Sequence, residues 1–512
     1  MVRWWGKGVT TPGTIYWGRY LLPFDGSPKP VADGAIFVET GAAHVMEVGD
    51  LGALRASHPG AREVGGADRL VMPGLIDAHQ HGRALTPSEL GCRDEELELW
   101  LLEQRAIPRP DPALSALVAA ARSILGGVTT LVHPHVTGHP EKRLDEAAAV
   151  AAAYVRSGAR VTFGIDVRDR ASFTYAEDEH FLSALPEPVA TEVRRAFGPP
   201  PPTTLDEIDE ELSSLQAQTA GTLVQIVLAP RGPQWCTGET LEWIAQRQRD
   251  GTAIQMHCSE TRAQYGWFAE RGDSPVRFLD RYGLLSASTT LAHCVWLDEA
   301  DVRLLADSGT RVVHNPSSNL RLGSGRAPVS RLRSEGVPVA IGTDSMGLVE
   351  PVDLFAEIRL ARWLEQAPAG RFTGGASEGL RAALRAGALA AGRDEVVGVL
   401  APGAAADIVL LDLSALTVAV GDEHGDDDVH ELAAQRARRQ HVSDVVIGGR
   451  ELVRDGRYLP HELGELEQEL RDQVRESSPA PAPRKAVAQL RPYVESELRR
   501  LHALSAEISF VE

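Results

Sequence analysis

The sequence predicts an α/β fold in which a TIM-like (β/α)8 barrel carries a small β-sandwich domain formed by the N- and C-terminal segments. Three observations lead to this prediction. Short apolar runs alternate with longer helical patterns between residues 71 and 400. Strand-like pieces separated by Gly, Pro and Asp occur near both ends of the chain. Histidine or aspartate follows several of the apolar runs, where a barrel gathers its catalytic groups.

The β-domain is expected from short strand patterns in two distant segments. The first segment, residues 1–70, contains Gly13–Gly18 and Gly34–Gly41, and the second, residues 401–460, contains Gly403–Leu413 and Val445–Gly456. Both have turn residues between their apolar pieces. We therefore expect the two segments to pair into one domain that is interrupted by the barrel, residues 71–400.

The barrel is expected from eight candidate strands, with helical patterns between most of them. The strands are the run from Val71 toward His79, then Val128–Val132, Arg160–Phe163, Leu223–Ala229, Ala253–His257, Thr289–His293, Thr310–His314 and Val337–Gly342. Repeated βα units form a parallel sheet, and eight of them can close into a barrel. Since the carboxyl ends of all strands then lie on one face, side chains far apart in sequence are expected to meet there.

The chain ends in a helical tail, residues 461–512. It has two amphipathic helical patterns separated by a Ser- and Pro-rich stretch at 477–483. We expect this tail to pack against the barrel or against a neighbouring subunit, and its length suggests a homodimer.

Composition excludes some partners. The formal net charge of −19 over 512 residues opposes non-specific binding to nucleic acid or to an anionic membrane, and a small neutral or cationic substrate is easier to accommodate. The four cysteines are scattered without paired spacing, which favours reduced thiols. No apolar run resembles a signal peptide or approaches the roughly 18 residues needed to span a bilayer. A cytoplasmic location is the expectation.

Two histidines one residue apart, His79 and His81, come at the end of the first barrel run. Alternating residues of a strand point to the same face, so both imidazoles can reach one ion. His257, His293 and Asp344 follow at the ends of later strands. Imidazole nitrogen and carboxylate oxygen are the ligands of hydrolytic metal centres, which keep one position open for water. The pattern therefore predicts a metal-dependent hydrolase.

The same segments suggest a division of roles. His257 is expected to bind the ion, while Glu260 accepts a proton from water and delivers it to the substrate. His293 and Cys294 could form a metal-binding pair, but we favour His293 as a base or electrostatic partner outside the ligand set. Asp344 most simply supplies a carboxylate ligand and accepts a hydrogen bond from the hydroxide.

These motifs resemble the amidohydrolase superfamily, in the branch of the triazine hydrolases, the cytosine and guanine deaminases, and the adenosylhomocysteine and methylthioadenosine deaminases. The resemblance extends over roughly residues 10 to 460. The stretches that carry it are Pro73–His81, His257–Thr261, Ala292–Leu297, Val313–Pro328, Gly342–Ser345 and Gly398–Val409. It implies metal ligands at His79, His81, His257 and Asp344, with Glu260 and His293 as catalytic groups.

The resemblance also bears on the number of metal ions. In barrels of this type a second ion is commonly bridged by a modified lysine on the fourth strand, here Leu223–Ala229, which contains none. One divalent ion is therefore expected, with zinc preferred and iron as the alternative. Segments 82–96 and 229–236 depart from the pattern of the nucleoside-type deaminases.

The predicted reaction is hydrolysis of a C–N bond, as deamination of a small nitrogen heterocycle or an amidine-like substrate by a metal-activated hydroxide. Within the same fold, release of chloride or an alkylamine, or cleavage of a guanidine or amide, remains open. A non-catalytic scaffold is the third alternative, which the complete set of ligands opposes.

Contacts to the substrate are predicted at three residues. Trp235 could stack on a flat ring, Arg231 could meet an anionic or carbonyl group, and Ser345 is next to a ligand. His133 and His135 either line the mouth of the site or are solvated, and we favour solvated side chains.

Overall fold

The computed structural model describes residues 12–27, 29–170, 173–198, 203–345, 352–369, 377–393, 396–417, 426–477 and 481–511. The strands of the N-terminal segment are β1 (Gly13–Leu21), β2 (Val31–Ala32), β3 (Gly34–Glu39), β4 (Glu47–Asp50) and β5 (Arg62–Pro73). The strands of the central segment are β6 (Leu75–Asp77), β7 (Val128–Pro134), β8 (Arg160–Val167), β9 (Val224–Pro230), β10 (Ile254–Cys258), β11 (Thr289–His293), β12 (Arg311–His314) and β13 (Val339–Ile341). The remaining strands are β14 (Ile408–Asp412), β15 (Val442–Ile447), β16 (Arg450–Arg454) and β17 (Arg457–Tyr458).

The eight central strands form the predicted parallel barrel. Strands β6 to β13 pair in chain order, and every pair is parallel. Backbone hydrogen bonds join the two ends of this sheet: Ala78 N donates to Ile341 O at 3.1 Å and Asp344 N donates to His79 O at 2.8 Å. All residues of β7 and β8 are buried, as expected for strands covered on both faces.

The terminal segments form one mixed sheet, and their predicted pairing is confirmed. Its order is β17-β16-β15-β14-β5-β1-β3-β4, with β2 on β1. Strand β14 pairs antiparallel with β5, which joins the two ends of the chain directly. Most pairs are antiparallel, but β1 and β5 are parallel.

The apolar run that begins at Val71 is divided between the two sheets. Its first part, to Pro73, completes β5 of the terminal sheet, and its second part, from Leu75, is barrel strand β6. Gly74 lies between them, and a Cβ at this position would collide with the side chain of Thr129. Glycine is therefore needed where the chain crosses from one sheet to the other.

The helices lie mainly between the barrel strands and at the carboxyl end of the chain. They are α1 (Leu51–Ser57), α2 (Leu97–Glu103), α3 (Pro112–Leu125), α4 (Arg143–Ser157), α5 (Asp178–Ser183), α6 (Glu187–Phe197), α7 (Leu205–Thr219), α8 (Gly238–Arg249), α9 (Arg262–Ala269), α10 (Pro275–Arg281), α11 (Glu299–Ser308), α12 (Pro316–Arg321), α13 (Val329–Ser334), α14 (Leu354–Ala369), α15 (Ser377–Arg381), α16 (Gly387–Ala390), α17 (Leu413–Leu416), α18 (Asp426–Arg436), α19 (Leu463–Glu476) and α20 (Pro481–Leu504). A π-helical turn, Ala382–Ala386, connects α15 to α16. No helix in the described ranges is long and apolar enough to cross a membrane.

The tail packs against the protein's own barrel. Helix α20 lies on α2, α6 and α9, and α19 lies on α3. The apolar stripe of α20 is buried in this contact and consists of Val487, Leu490, Val494, Leu498 and Leu501. This spacing places all five on one helical face, so the tail covers the barrel with most of its apolar surface.

Candidate metal centre

Four side chains predicted as ligands lie together at the carboxyl end of the barrel strands. His79 and His81 follow β6, His257 lies in β10, and Asp344 follows β13. His81 Nε2 is 3.2 Å from Asp344 Oδ1 and 3.3 Å from His257 Nε2, and His79 Nε2 is 3.8 Å from the same carboxylate oxygen. Ligands about 2.1 Å from a tetrahedral ion lie about 3.4 Å from each other. The observed spacing is therefore close to that expected for ligands of one ion.

Backbone carbonyls determine which ring nitrogen carries the proton in two of these histidines. His81 Nδ1 donates to Pro134 O at 2.9 Å, and His257 Nδ1 donates to Arg231 O at 2.7 Å. Because a neutral imidazole has one N–H, both Nε2 atoms present lone pairs. Two lone pairs 3.3 Å apart repel each other, and a cation between them removes the repulsion.

The protonation states fit a divalent metal ion. Burial lowers the pKa of His79 well below its usual value and lowers that of His257 to about 3, so both are neutral imidazoles. Burial alone would raise the pKa of Asp344, but the neighbouring imidazoles of His81, His79 and His293 hold it well below its usual range. His79 Nε2 is buried without a hydrogen-bond partner among the described residues. Three imidazoles and one carboxylate are a donor set suited to such an ion.

Asp344 is held from both sides. The hydroxyl of Ser318 donates to Asp344 Oδ2 at 2.6 Å. The preceding residue, Thr343, donates through its hydroxyl and its N–H to the carboxylate of Asp77, at 2.6 and 3.0 Å. Asp77 also accepts from His79 N at 3.4 Å, so one buried carboxylate connects the two strand ends that carry candidate ligands.

Glu260 lies beside this group at the end of β10. Its side chain is 8% exposed, and Oε1 is 3.7 Å from His293 Nε2. Burial raises the pKa of Glu260 well above its usual value, and the charges of Asp344 and Glu98 raise it further. Its backbone N–H donates to Gln264 Oε1 at 2.8 Å, which fixes the chain direction after the strand.

His293, the last residue of β11, presents one nitrogen to the centre. Its Nδ1 donates to Asn319 Oδ1 at 2.8 Å, so Nε2 is left as an acceptor, 4.0 Å from Asp344 Oδ2. His293, His79 and Asp344 also have potential ligand atoms within 4.8 Å of one another. Cys294 belongs to neither ligand group found among the described residues, and its thiol points to Leu291 O at 4.0 Å.

The predicted substrate contacts have different surroundings. The guanidinium of Arg231 forms a bidentate ion pair with Asp166 at 2.7 and 2.5 Å, so it is anchored rather than isolated. Trp235 is half-buried, with its ring 5.9 Å from that of Tyr175. Ser345 is buried directly after Asp344. Arg231 also contacts a predicted ligand, because its carbonyl accepts the hydrogen bond from His257 Nδ1.

The preference for solvated side chains at His133 and His135 is wrong. Their exposed fractions are 2% and 4%. His133 Nδ1 hydrogen-bonds to the hydroxyl of Tyr154 at 2.7 Å, and His135 Nε2 lies 2.9 Å from Glu146 Oε1. Both lie at the end of β7, a fully buried barrel strand whose Pro134 carbonyl holds His81.

Sequence reasoning also missed a buried carboxylate that covers the site from α2. Glu98 accepts hydrogen bonds from Thr261 Oγ1 at 2.6 Å and from the hydroxyl of Tyr175. Thr261 follows Glu260 directly, so α2 is tied to the segment that carries the predicted proton shuttle. No motif surrounds Glu98. Ser318 and Asn319, in contrast, lie within the stretch Val313–Pro328 that carries the family resemblance.

Comparisons with known proteins agree with this architecture. A family model described as "Amidohydrolase family" matches residues 70–452. A 5-methylthioadenosine/S-adenosylhomocysteine deaminase of Pelotomaculum thermopropionicum is 29% identical over 406 residues, which cover 77% of this chain and 84% of that protein. The structure of an adenosine deaminase from Xanthomonas campestris with bound zinc has a TM-score of 0.76 and 26% identity, covering 91% of this chain and 99% of the other. An atrazine chlorohydrolase of Arthrobacter aurescens has the same fold, with a TM-score of 0.72 and 23% identity, covering 90% and 100%.

Proposed function

The chain belongs to the amidohydrolase family of hydrolases that act on C–N bonds other than peptide bonds, and we propose that it deaminates a small nitrogen heterocycle or an amidine-like substrate. The observation that carries the proposal is the meeting of three imidazole Nε2 atoms with one carboxylate, next to a buried glutamate. Relatives named as deaminases support an amino group as the leaving group.

We propose that His79, His81, His257 and Asp344 hold one divalent ion and that this ion is zinc. The zinc bound in the Xanthomonas campestris deaminase supports this identity. When bound, such an ion supplies Lewis acidity and lowers the pKa of water toward roughly 7. The same imidazole-rich donor set also suits iron, so elemental analysis of the purified protein distinguishes the two.

Glu260 is the proposed proton shuttle. It lies in a nearly dry environment beside His293, so its carboxyl group can exchange a proton with a substrate at small cost in reorganisation. In the forward reaction it accepts a proton from the attacking water and delivers it to a ring nitrogen or to the leaving amine. The amino group then leaves as ammonia, and the carbon gains the oxygen of water.

His293 and Asp344 orient the water in this scheme. His293 donates a hydrogen bond from Nδ1–H to Asn319 Oδ1, so its Nε2 can accept a hydrogen bond from the water. The hydroxyl of Ser318 donates a hydrogen bond to Oδ2 of Asp344, which holds the carboxylate in one orientation. The substrate contacts Arg231, Trp235 and Ser345 remain predictions, although Arg231 acts on the centre through its backbone.

Two further expectations also remain predictions. A cytoplasmic location is supported by four free cysteines, all of them buried. A homodimer has less support from the tail, because α20 uses its apolar face against its own barrel. Sedimentation of the purified protein tests the oligomeric state.

The proposed reaction is tested by measuring ammonia release from a panel of amino-substituted pyrimidines, purines, triazines and amidines. The zinc-loaded protein should release ammonia from at least one class, and protein stripped by a chelator should not until zinc is restored. Chloride or alkylamine release from halogenated or alkylaminated triazines, without ammonia release, would overturn the deaminase assignment within the family.

A further inference from the structure

The buried carboxylate of Glu98 joins three connecting segments at the carboxyl end of the barrel. Glu98 lies on α2, Tyr175 lies between β8 and α5, and Thr261 lies between β10 and α9. Both hydroxyls donate to Glu98 Oε1, that of Thr261 at 2.6 Å. The exposed fractions of Glu98, Tyr175 and Thr261 are 6%, 2% and 2%. We name these three residues the Glu98 cluster.

Thr261 connects the Glu98 cluster to the proposed proton shuttle. It follows Glu260 directly and caps α9, because its hydroxyl accepts from Gln264 N at 3.0 Å while it donates to Glu98. The side chain of Gln264 in turn accepts from Glu260 N at 2.8 Å and donates to Gln234 Oε1 at 2.6 Å. The backbone of Glu260 is therefore fixed by a buried chain of hydrogen bonds that begins at Glu98.

The backbone just before Glu260 needs support from its surroundings. Ser259 has φ 50°, in the left-handed region that is costly for a residue with a side chain. Such a conformation persists only where neighbouring contacts impose it. On one side, Val295 N and Trp296 N donate to Ser259 O at 2.8 and 3.0 Å. The Glu98 cluster supplies the constraint on the other side of Glu260.

Helix α20 of the tail holds α2, the helix that carries Glu98. The guanidinium of Arg491 donates to Glu103 Oε1 at 2.8 Å and to Glu95 Oε1 at 3.2 Å. One turn from the end of α20, His502 Nε2 lies 2.7 Å from Glu96 Oε1. These contacts lie on both sides of Glu98 along the chain, so they fix the position of α2 at the barrel mouth.

The same helix holds α9, which begins next to Thr261. The backbone carbonyl of Leu501 packs directly on Gly266, where an added Cβ would collide with it. Arg262 Nε also donates to Ser505 Oγ at 3.2 Å. The tail lies outside residues 70–452, which match the family model. A segment beyond that match thus fixes the distance between the two helices that meet at the Glu98 cluster.

We propose that Glu98 is a positioning residue for the proton shuttle Glu260, acting through Thr261 and held in place by α20, and this inference rests on the proposed function. A group that transfers protons must stay within hydrogen-bond reach of both water and substrate. A displacement of about 1 Å can lower the rate by about 100-fold. Glu98 acts as the hydrogen-bond acceptor that prevents this displacement, without contacting the substrate itself.

The first test separates kcat from KM for ammonia release by the zinc-loaded enzyme. Glu98→Ala and Thr261→Val should lower kcat by about 10- to 100-fold, with KM within about twofold of wild type and unchanged zinc content. Glu98→Gln and Thr261→Ser should retain most of the turnover, because the amide oxygen still accepts and the serine hydroxyl still donates. The matched control is Tyr265→Phe, which removes a buried hydroxyl of α9 that donates to Asp298 at 3.0 Å and should leave kcat unchanged.

The second test measures the hold on Glu260 without turnover, by hydrogen–deuterium exchange of backbone amides in the zinc-loaded protein. Amides of residues 260–264 should exchange about 10-fold faster in Glu98→Ala than in wild type. Arg491→Gln should increase exchange both in α2 and in residues 260–264. Arg499→Gln, at an exposed position of the same helix α20, should behave as wild type.

The outcomes separate this inference from the proposed function. A raised KM with unchanged kcat in Glu98→Ala would make Glu98 a substrate contact and overturn the positioning role. Lower stability to urea, with unchanged kcat and unchanged exchange at residues 260–264, would make the cluster merely structural. Unchanged exchange in Arg491→Gln would overturn the role of α20. Exchange that depends on Glu98 and Arg491, with no ammonia released by the wild-type enzyme from any compound, supports the positioning network and counts against deamination.

Discussion

Ser318 and Asn319 are neighbours on α12 that support different groups of the candidate centre. Ser318 donates at 2.6 Å to Asp344, a proposed ligand, and Asn319 accepts at 2.8 Å from His293, which we place outside the ligand set. Both side chains are fully buried. A hydrogen bond to a charged group contributes about 1.5–3 kcal/mol, and each 1.4 kcal/mol corresponds to about tenfold in affinity. We therefore expect Ser318→Ala to weaken zinc binding by about 10- to 100-fold.

Asn319→Ala should have the opposite profile. Zinc affinity should stay close to that of wild type, while turnover at saturating zinc should fall by about 10- to 100-fold because His293 loses its fixed orientation. Competition with a chromophoric chelator measures zinc affinity, and ammonia release measures turnover. Urea unfolding of the zinc-free variants controls for general loss of stability.

The pair of variants can refute the reasoning in two ways. Equal losses of zinc affinity in Ser318→Ala and Asn319→Ala would make His293 a ligand, in line with its position near His79 and Asp344. Unchanged zinc affinity in Ser318→Ala would remove Asp344 from the ligand set.

Three further predictions follow from single contacts. Glu260→Gln should keep zinc but lower turnover by about 10²- to 10⁴-fold, because the amide cannot carry a proton between water and substrate. Gly342→Ala should weaken zinc binding, since its Cβ would lie 2.8 Å from both the Cβ and the carbonyl oxygen of His79. Arg160→Ala should lower the free energy of unfolding by about 3–5 kcal/mol, because it leaves the carboxylate of Asp407 buried without the bidentate partner it has at 2.8 and 3.0 Å.

Each of these predictions has a matched control. Elemental analysis of Glu260→Gln must give the wild-type zinc content, and near-normal ammonia release would remove Glu260 from the mechanism. Gly464→Ala, where an added Cβ meets no atom within 4 Å, should not alter zinc affinity. Urea unfolding of Arg160→Ala is compared with that of the exposed Arg249→Ala, and equal midpoints would contradict a stabilising role of the pair with Asp407.

The barrel could be predicted because parallel buried strands leave a clear pattern. The predicted run Thr289–His293 coincides with strand β11, whose residues are all buried because the sheet is covered on both faces. The candidate ligands could be placed together because they lie at or just after strand ends, and the fold brings those ends to one face. The position of a strand in the chain was therefore enough to place the residues near its carboxyl end on that face.

Other parts of the site depend on side-chain contacts between distant segments. The pairing of Arg231 with Asp166 and that of Glu98 with Thr261 join residues with no shared motif. The surroundings of His133 and His135 could not be predicted for the same reason. Their polarity alone indicated solvated side chains, whereas Tyr154 and Glu146 supply buried hydrogen-bond partners. Such partners are set by helix packing around the barrel, which periodicity does not encode.

Four non-glycine residues at the barrel mouth have a strained, left-handed backbone conformation. Ser259, His293, Cys294 and Asp344 have φ values of 50°, 75°, 47° and 54°, in the left-handed region that normally favours glycine. Each costs on the order of 1–2 kcal/mol, and such strain persists only where the surroundings determine the conformation. Here Cys294 N donates to Cys258 O at 3.0 Å and Asp344 N to His79 O at 2.8 Å, so bonds between adjacent strand ends impose the turn. Glycine would relieve the strain at His293 or Asp344 but would remove the imidazole or the carboxylate, so the proposed chemistry, rather than propensity, accounts for the residue at these two positions.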